Sequence, residues 1–420
     1  MRRFTRTFLV LFTLVLVALT VVASQSAQAQ TFKVLHTFTG GADGGYPYAG
    51  LTMNRAGNLY GTAGGGGNTG GNCGNAGCGT VFKLAHVGSG WVFTPIYSFT
   101  GGNDGSTPEA GVVFGPDGSL YGTTGYGGQY GNGIVFNLKP SPTACKAALC
   151  PWTETVLYSF PAGDSPLPLG DVVFDQVGNL YGSTLRGGSG CVYGCGTVYK
   201  LTSSRGAWTL SAVYDFQGTT DGAGPYGVTL DNAGNLYGAA DDGGAYNEGT
   251  VFQLTTSGSG FIENTLHAFK YSEGIFPESG LILDGSGNLY GSTTGGGDSS
   301  GTIFEMTPSD NGWSYMVLYK FALKYGAPLD APLAIDTAGN LFGTVNRGSN
   351  GGAIFKLSPG SGGWTFTSLY EFSGGSDGGG PLGNVAFDAS ANLYGTTEYG
   401  GTKGGVCDPN GCGVVWEITP

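Results

Sequence analysis

The sequence predicts an all-β chain that folds as a seven-bladed β-propeller with four antiparallel strands in each blade. Three observations predict this fold. A repeat of 52 to 61 residues covers nearly the whole chain, and each copy holds four short segments with a β pattern. The repeated part of the chain also begins with a fourth-segment string and ends with a third-segment string, so its two ends can complete one blade and close a ring.

Two motifs mark the repeat. The first is Gly-Asn-Leu-Tyr-Gly or a close variant, and its aromatic residue is Tyr60, Tyr121, Tyr181, Tyr237, Tyr290, Phe342 or Tyr394. The second is a Leu-Tyr-x-Phe string, which closes at Phe38, Phe99, Phe160, Phe216, Phe269, Phe321 or Phe372. The two markers stay in step, so the chain contains seven copies of one structural unit.

Each copy alternates apolar and polar residues in four segments that are bounded by Gly, Pro, Asn and Asp, and residues 30–420 show no helical period. We letter the four strands A to D from the central channel outward. The string Asp-Asn-Ala-Gly-Asn at residues 231–235 predicts the A–B turn, because Asp bonds its own turn backbone and Gly supplies a positive φ. In the last repeat, Ala391 replaces that glycine.

The phase of the repeat predicts how the ring closes. Residues 32–38 form a D-type string, whereas residues 414–418, at the other end of the chain, form a C-type string. We therefore expect the N-terminal strand to pair outside the last C strand and complete the seventh blade. This arrangement removes the two exposed sheet edges of an open array.

The first 29 residues have the pattern of a secretory signal peptide. Arg2, Arg3 and Arg6 precede an apolar run from residue 8 to residue 22, and Ala-Gln-Ala at residues 27–29 is a small-x-small cleavage site. The apolar run is shorter than the roughly 20 residues of a membrane-spanning helix. We expect residues 30–420 to be exported as a single propeller domain, without a transmembrane segment in the mature chain.

Composition disfavours a polyanionic partner, and we expect no nucleic-acid partner. Without residues 1–29 the chain has 14 basic and 29 acidic residues, a net charge of −15. Binding DNA or RNA depends on clustered Lys and Arg that neutralise phosphates. Charged residues make up only 11% of the chain, so Gly, Ser, Thr, Asn and Tyr must cover much of the surface.

The eight cysteines form four close pairs, which in an exported chain predicts local disulfides. Metal ligation is the alternative, but no histidine lies beside a pair and no Cys-x-x-Cys spacing occurs. Bridges across such short loops rigidify the loops more than they stabilise the fold. The pairs are Cys73/Cys78, Cys145/Cys150, Cys191/Cys195 and Cys407/Cys412.

The strings Gly-Asn-Leu-Tyr-Gly-Thr and Gly-Thr-Val-Phe-x-Leu resemble the GloVer-type tandem repeat of secreted bacterial proteins. The resemblance spans residues 32–420. It implies export and a β-propeller-like repeat. It brings no catalytic residue, because no activity is established for that family.

An acidic position recurs in the D–A loop, mostly within the pattern Asp-Gly-x-x-Pro. Two interpretations remain open. The carboxylates are candidate calcium ligands, since calcium takes six to eight oxygens, or each makes an Asx-type turn ahead of a proline. No other cofactor is expected. The six residues of this acidic loop ring are Asp43, Asp104, Asp164, Asp221, Glu273 and Asp377.

The B–C loop varies at the fifth residue after the repeat aromatic. Repeats that agree elsewhere differ here, and the residues introduced suit hydrogen bonding and stacking. We interpret them as a binding rim for a glycan, a peptide or an extracellular protein. An unconstrained solvent loop would vary in the same way. The rim residues are Tyr126, Arg186, Asp242, Arg347 and Tyr399.

The histidines argue against a histidine-dependent enzyme. His36 and His267 fall in D strands, and His86 falls in a C–D connection on the opposite face, so no histidine is left for the loop face. We therefore expect no catalytic residues and no metal site. The predicted function is non-catalytic binding through the D–A and B–C loop face. The alternative is a polysaccharide hydrolase or lyase that uses rim carboxylates.

Overall fold

The computed structural model describes residues 30–88, 90–140, 152–161, 166–192, 194–258, 260–297, 300–323, 326–328, 331–346, 351–404, 407 and 409–420. The predicted signal peptide, residues 1–29, lies outside this part of the chain. The described residues form seven antiparallel sheets, each with the strand order A, B, C, D. The protein is a seven-bladed β-propeller, as the repeat predicts.

The A strands contain two residues each and the B strands are buried along their repeat motif. The A strands are β2 (Thr52–Met53), β6 (Val113–Phe114), β10 (Val173–Phe174), β15 (Thr229–Leu230), β19 (Ile282–Leu283), β23 (Ala334–Ile335) and β27 (Ala386–Phe387). The B strands are β3 (Leu59–Ala63), β7 (Leu120–Thr124), β11 (Leu180–Thr184), β16 (Leu236–Asp242), β20 (Leu289–Thr293), β24 (Leu341–Val345) and β28 (Leu393–Thr397).

The C and D strands are longer and form the outer part of each blade. The C strands are β4 (Thr80–Val87), β8 (Ile134–Lys139), β12 (Thr197–Ser204), β17 (Thr250–Ser257), β21 (Thr302–Ser309), β25 (Ala353–Gly360) and β29 (Val414–Thr419). The D strands are β1 (Thr31–Thr37), β5 (Gly90–Ser98), β9 (Thr153–Ser159), β13 (Ala207–Asp215), β18 (Gly260–Ala268), β22 (Gly312–Lys320) and β26 (Gly363–Glu371).

Two short elements lie outside this scheme. Strand β14 (Ala223–Pro225) pairs with β16 in the fourth blade, and a 3₁₀ turn spans Gly71–Cys73 in the first. Within the described ranges, no helix has the length and apolar character to cross a membrane.

The N-terminal strand closes the ring as predicted. Strand β1 pairs antiparallel with β29, with Thr31 opposite Thr419 and Thr37 opposite Val414. Phe32 of β1 stacks on Tyr370 of the sixth blade at a ring-centroid distance of 3.8 Å. The closing strand is therefore held both within its own sheet and against the neighbouring blade.

Hydrophobic cores lie between neighbouring blades. In one of them, Tyr60 and Phe99 of the first blade pack with Leu120 and Phe136 of the second, and all four are buried. D-strand tryptophans cover these cores, as Trp91 does where it packs edge-on against Tyr394 of the seventh blade. Because each core needs two blades, a single repeat has no core of its own.

The A–B turn explains the polar half of the repeat motif. Asp231 Oδ1 accepts hydrogen bonds from the backbone amides of Ala233 and Asn235 at 2.8 and 2.9 Å. Its Oδ2 accepts a hydrogen bond from the Tyr237 hydroxyl at 3.1 Å. The motif tyrosine thus holds the turn that precedes it.

The glycine that follows the motif tyrosine is required by a close cross-strand contact. Gly61 of β3 pairs with Phe82 of β4, and a Cβ on Gly61 would lie 2.6 Å from Phe82 Cζ. The same conflict would arise between Gly395 and Trp416 in the seventh blade. Only glycine leaves room for the C-strand aromatic to lie across the B strand.

We expect removal of β1 to destabilise the ring. A protein that begins at Phe38 would expose the β29 edge, so its melting temperature should fall and it should associate through that edge. A protein that begins at Thr31 is the control. Thermal unfolding and light scattering report both effects, and an unchanged, monomeric truncation would contradict the closure.

Two substitutions in A–B turns should change the free energy of unfolding in opposite directions. Ala391 has a φ of 62°, and its equivalent Gly234 has a φ of 84°. A Cβ is strained in this left-handed region, so we expect Ala391→Gly to raise and Gly234→Ala to lower the free energy of unfolding by about 1 kcal/mol. Denaturant unfolding of the two variants tests this. Shifts of the same sign would show that the turn backbone is not the cause.

Candidate functional site: the channel cavity and its loop face

A cavity of about 490 Å³ occupies the D–A end of the central channel, and all seven blades contribute to its wall. The lining residues come from the last part of each D–A loop and from the start of some A strands. Each blade approaches the channel axis through this same segment. A ligand in the cavity would thus contact the whole ring at once.

Asp171 is the most unusual residue of this wall. Asp171 is half-buried, and part of its surface faces the cavity. Burial raises the pKa of Asp171, and a hydrogen bond from the Gly111 amide, 2.7 Å from its Oδ1, opposes that rise. At the equivalent position of the other repeats stand Gly50, Gly111, Gly227, Gly280, Pro332 and Asn384.

Aromatic and acidic side chains complete the polar part of the wall. Tyr48, Tyr226, Glu109 and Asn384 line the cavity with Asp171. Burial raises the pKa of Tyr48 to about 12, with a further contribution from the negative charges of Glu398 and Glu109. The negative charges of two glutamates therefore act on the Tyr48 phenol of the cavity wall.

A second acidic group lies on the loop face in the fourth blade. Burial raises the pKa of Asp241 to about 7, and the charges of Asp242 and Glu278 add to this effect. Asp241 is half-buried, whereas its neighbour Asp242 is exposed. Asp241 therefore keeps its proton up to about neutral pH, and the exposed carboxyl group beside it is that of Asp242.

Of the predicted rim residues, Tyr126, Arg186 and Tyr399 lie on B–C loops, and Asp242 is the last residue of strand β16. Tyr126 is 52% exposed, Arg186 and Asp242 are exposed, and Tyr399 packs over the backbone of Gly379 and Gly380. Arg347 falls outside the described residues. None of the four described rim residues lines the cavity. Their role in binding stays a prediction.

Backbone pairing fixes these loops in place. The Ser106 amide donates a hydrogen bond to the Tyr126 carbonyl at 2.8 Å, and the Tyr126 amide returns one to Ser106 at 3.2 Å. Gly379 and Tyr399 exchange the equivalent pair at 2.9 and 3.0 Å. The B–C loop of each of these blades is thus joined to its own D–A loop.

The described members of the acidic loop ring hold the ends of D strands. Asp104 Oδ2 accepts hydrogen bonds from the Tyr97 hydroxyl at 3.0 Å and from the Thr100 amide at 2.9 Å. Similar contacts join Asp43 to His36 and Thr39, Asp221 to Tyr214 and Gln217, Glu273 to His267, and Asp377 to Tyr370 and Ser373. Asp164 lies outside the described residues.

These contacts favour the turn interpretation of the ring. Burial raises the pKa of Asp43, but hydrogen bonds from His36 and Thr39 outweigh that effect and hold the pKa below its usual value. Hydrogen bonds from Ser373 and Tyr370 do the same for Asp377. In the described part of the chain, no three His, Cys, Asp or Glu side chains are grouped to hold a metal ion. A calcium role for the ring remains an untested proposal.

Three of the predicted disulfides lie in B–C loops of this face. The structure bonds Cys73 to Cys78, Cys191 to Cys195, and Cys407 to Cys412. The fourth pair, Cys145 and Cys150, falls outside the described residues.

Glu154 lies on the outer strand of the second blade, and Glu263 holds the equivalent position in the fourth. Burial, and then the charge of Asp104, raises the pKa of Glu154 to about 7. Its Oε1 is buried and has no hydrogen-bond partner among the described residues. Aromatic residues, such as Phe93 and Tyr315, occupy the equivalent position in several other D strands.

A family comparison identifies the repeat. The model of the Gloeobacter/Verrucomicrobia repeat matches residues 20–192 and 173–407. The chain belongs to this family. The GloVer-type resemblance of the sequence motifs is thereby confirmed, and no curated protein matches the chain.

Solved structures share the fold of this Gloeobacter/Verrucomicrobia repeat protein at low sequence identity. The extracellular domain of a one-component system from B. thetaiotaomicron matches with a TM-score of 0.53 and 13% identity. The match covers 91% of this chain but 39% of that one.

Two sugar-related enzymes also match. A PQQ-bound aldose sugar dehydrogenase from Streptomyces coelicolor matches at a TM-score of 0.40 and 13% identity, over 93% of this chain and 98% of that one. A gluconolactonase from Xanthomonas campestris matches with a TM-score of 0.39 and 14% identity. This match covers 72% of this chain and 82% of that one.

Sequence reasoning missed the channel residues. It selected the B–C loops because their repeats differ most, whereas Asp171 departs from the repeat at a position that otherwise holds mainly glycine. Comparison of the residue ten positions before each repeat aromatic would have revealed both Asp171 and Asn384.

We expect Glu154→Gln to raise stability at neutral pH. The folded protein keeps a proton on Glu154 up to about pH 7, whereas an unfolded glutamate loses it near pH 4.3. Stability should therefore fall as pH rises through this window. Glutamine mimics the protonated form, so the variant should gain about 1 kcal/mol at pH 7.5, after allowance for solvent screening.

Denaturant unfolding between pH 4 and 8 measures this effect. The exposed substitution Asp310→Asn is the control and should leave the pH slope unchanged. An unaltered slope in the Glu154 variant would show that the carboxyl group titrates normally.

Proposed function

We propose that this protein is an exported, non-catalytic binding module that takes a small polar ligand, or the end of a glycan or peptide chain, at the D–A end of its channel. The observation that carries the proposal is the cavity, which has a volume in the range of small-molecule sites and draws its wall from all seven blades. The rim residues of the B–C loops would contact the parts of a longer ligand that extend beyond the cavity.

Export is supported by two features of the chain. The pattern of residues 1–29 is that of a secretory signal peptide. Disulfides form and persist in extracytoplasmic compartments, and three pairs of cysteines are bonded on the loop face.

The rigid loops suit binding without large rearrangement. Tyr126 and Tyr399 are tied by backbone hydrogen bonds to neighbouring D–A loops, and disulfides constrain three B–C loops. A preorganised surface loses little conformational freedom when a ligand binds.

Asp241 and Asp242 favour one alternative, a hydrolase or lyase that acts on polysaccharide. Burial and neighbouring charge raise the pKa of Asp241 to about 7, the range that suits a general acid near neutral pH. Turnover of a bound glycan that is lost in both Asp241→Asn and Asp242→Asn would favour this alternative.

Leu382→Trp should block the cavity. Leu382 lines it, so the larger indole should fill part of the space and weaken ligand binding about tenfold or more. Val177→Trp adds the same side chain to an exposed A–B turn on the opposite face and is the control.

Glycan and peptide arrays with the mature protein would identify ligands for this test. Binding that survives Leu382→Trp unchanged would contradict the channel site. Binding lost equally in both variants would point to damage by the added tryptophan instead, and would leave the channel site without support.

A further inference from the structure

The charges of the cavity wall are all of one sign. Among the described residues that line it, Asp171 and Glu109 are acidic and none is Lys, Arg or His. The negative charge of Glu398, which lies outside the wall, also acts on Tyr48. An anionic ligand would therefore be repelled, and a cationic ligand attracted.

The position of Asp171 is unfavourable for a carboxyl group. The residue is half-buried, accepts one hydrogen bond from the Gly111 amide, and has no basic side chain beside it in the described wall. Burial of a carboxylate without a counter-charge is unfavourable. Four of the other repeats have glycine at this position, so the fold itself does not require an acidic residue there.

We propose that the group bound in the cavity is a primary ammonium group of a small polar molecule, and that Asp171 is its anchor. This inference rests on the proposed function and names the ligand chemistry of the same site. An ammonium group supplies the missing counter-charge and donates hydrogen bonds to the carboxylate. The raised pKa of Asp171 agrees with a carboxyl group that lacks such a partner.

The wall favours an organic cation over a metal ion. Calcium takes six to eight oxygen ligands, whereas the described wall contains two carboxylates, and no metal-binding group of three acidic, His or Cys side chains occurs in the described ranges. Tyr48 and Tyr226 offer aromatic faces, and Leu169, Val228 and Leu382 offer apolar surface. Such a wall can pack against the hydrocarbon part of an organic amine.

The same ammonium chemistry occurs in an amino sugar and at the amino end of a peptide. Isothermal titration of the mature protein distinguishes these sources with two matched pairs of probes. The first pair is D-glucosamine and neutral N-acetyl-D-glucosamine. The second pair is alanyl-glycine amide and its N-acetylated form.

We expect at least one amine to bind about tenfold more tightly than its acetylated partner. Asp171→Asn, which keeps the acceptor for the Gly111 amide and loses the charge, should abolish that preference. Asp310→Asn, the same change at an exposed turn on the opposite face, should leave it unaltered.

Equal affinity within both pairs, or an amine preference that survives in Asp171→Asn, would overturn the inference. If the acetylated probes bind and Leu382→Trp removes that binding, the channel site stands and only the ammonium assignment fails. If none of the four probes binds the unmodified protein, the ammonium assignment fails. The array experiment then decides the binding function independently.

Discussion

Each blade depends on the contact between a B-strand glycine and the C-strand aromatic that lies across it. In the first blade these residues are Gly61 and Phe82, and in the seventh they are Gly395 and Trp416. The aromatic is fully buried in both cases and belongs to the core between two blades. Any side chain on the glycine would push the aromatic out of that core. The contact thus links pairing within one sheet to packing between sheets.

Carboxylates that recur in most repeats differ from those that occur in one or two of them. Hydrogen bonds hold the pKa of Asp43, in a D–A loop, and of Asp231, in an A–B turn, below its usual value, although burial acts in the opposite direction. Burial raises the pKa of Asp171, Asp241 and Glu154, which stand at positions that hold an acidic residue in only one or two blades. The repeated acids stabilise turns, and acids at these less regular positions are the candidates for binding or chemistry.

The ring also explains where a ligand would be recognised. Backbone pairing and disulfides hold the D–A and B–C loops on one face, and the inner ends of the D–A loops converge on the channel. The strand pattern is common to all blades, whereas these loops differ in sequence from one blade to the next. A change at one copy, such as Asp171 where most repeats have glycine, makes the seven-fold wall asymmetric.

Sequence patterns predict the number of blades, the strand order, the closing strand and the cysteine pairs that the structure describes. These features follow from local patterns, because a two-residue period, a turn glycine and a phase shift can be read along the chain. The A strands are shorter than the pattern 111–114 indicates, since only Val113 and Phe114 keep ladder pairing. The tertiary structure alone decided which loop residues meet. Asp171 and Asn384 are 213 positions apart in the chain and share one cavity because the ring closes. The four described rim residues lie outside that wall, because sequence variation shows that a loop is exposed but not whether its side chains point toward the channel axis.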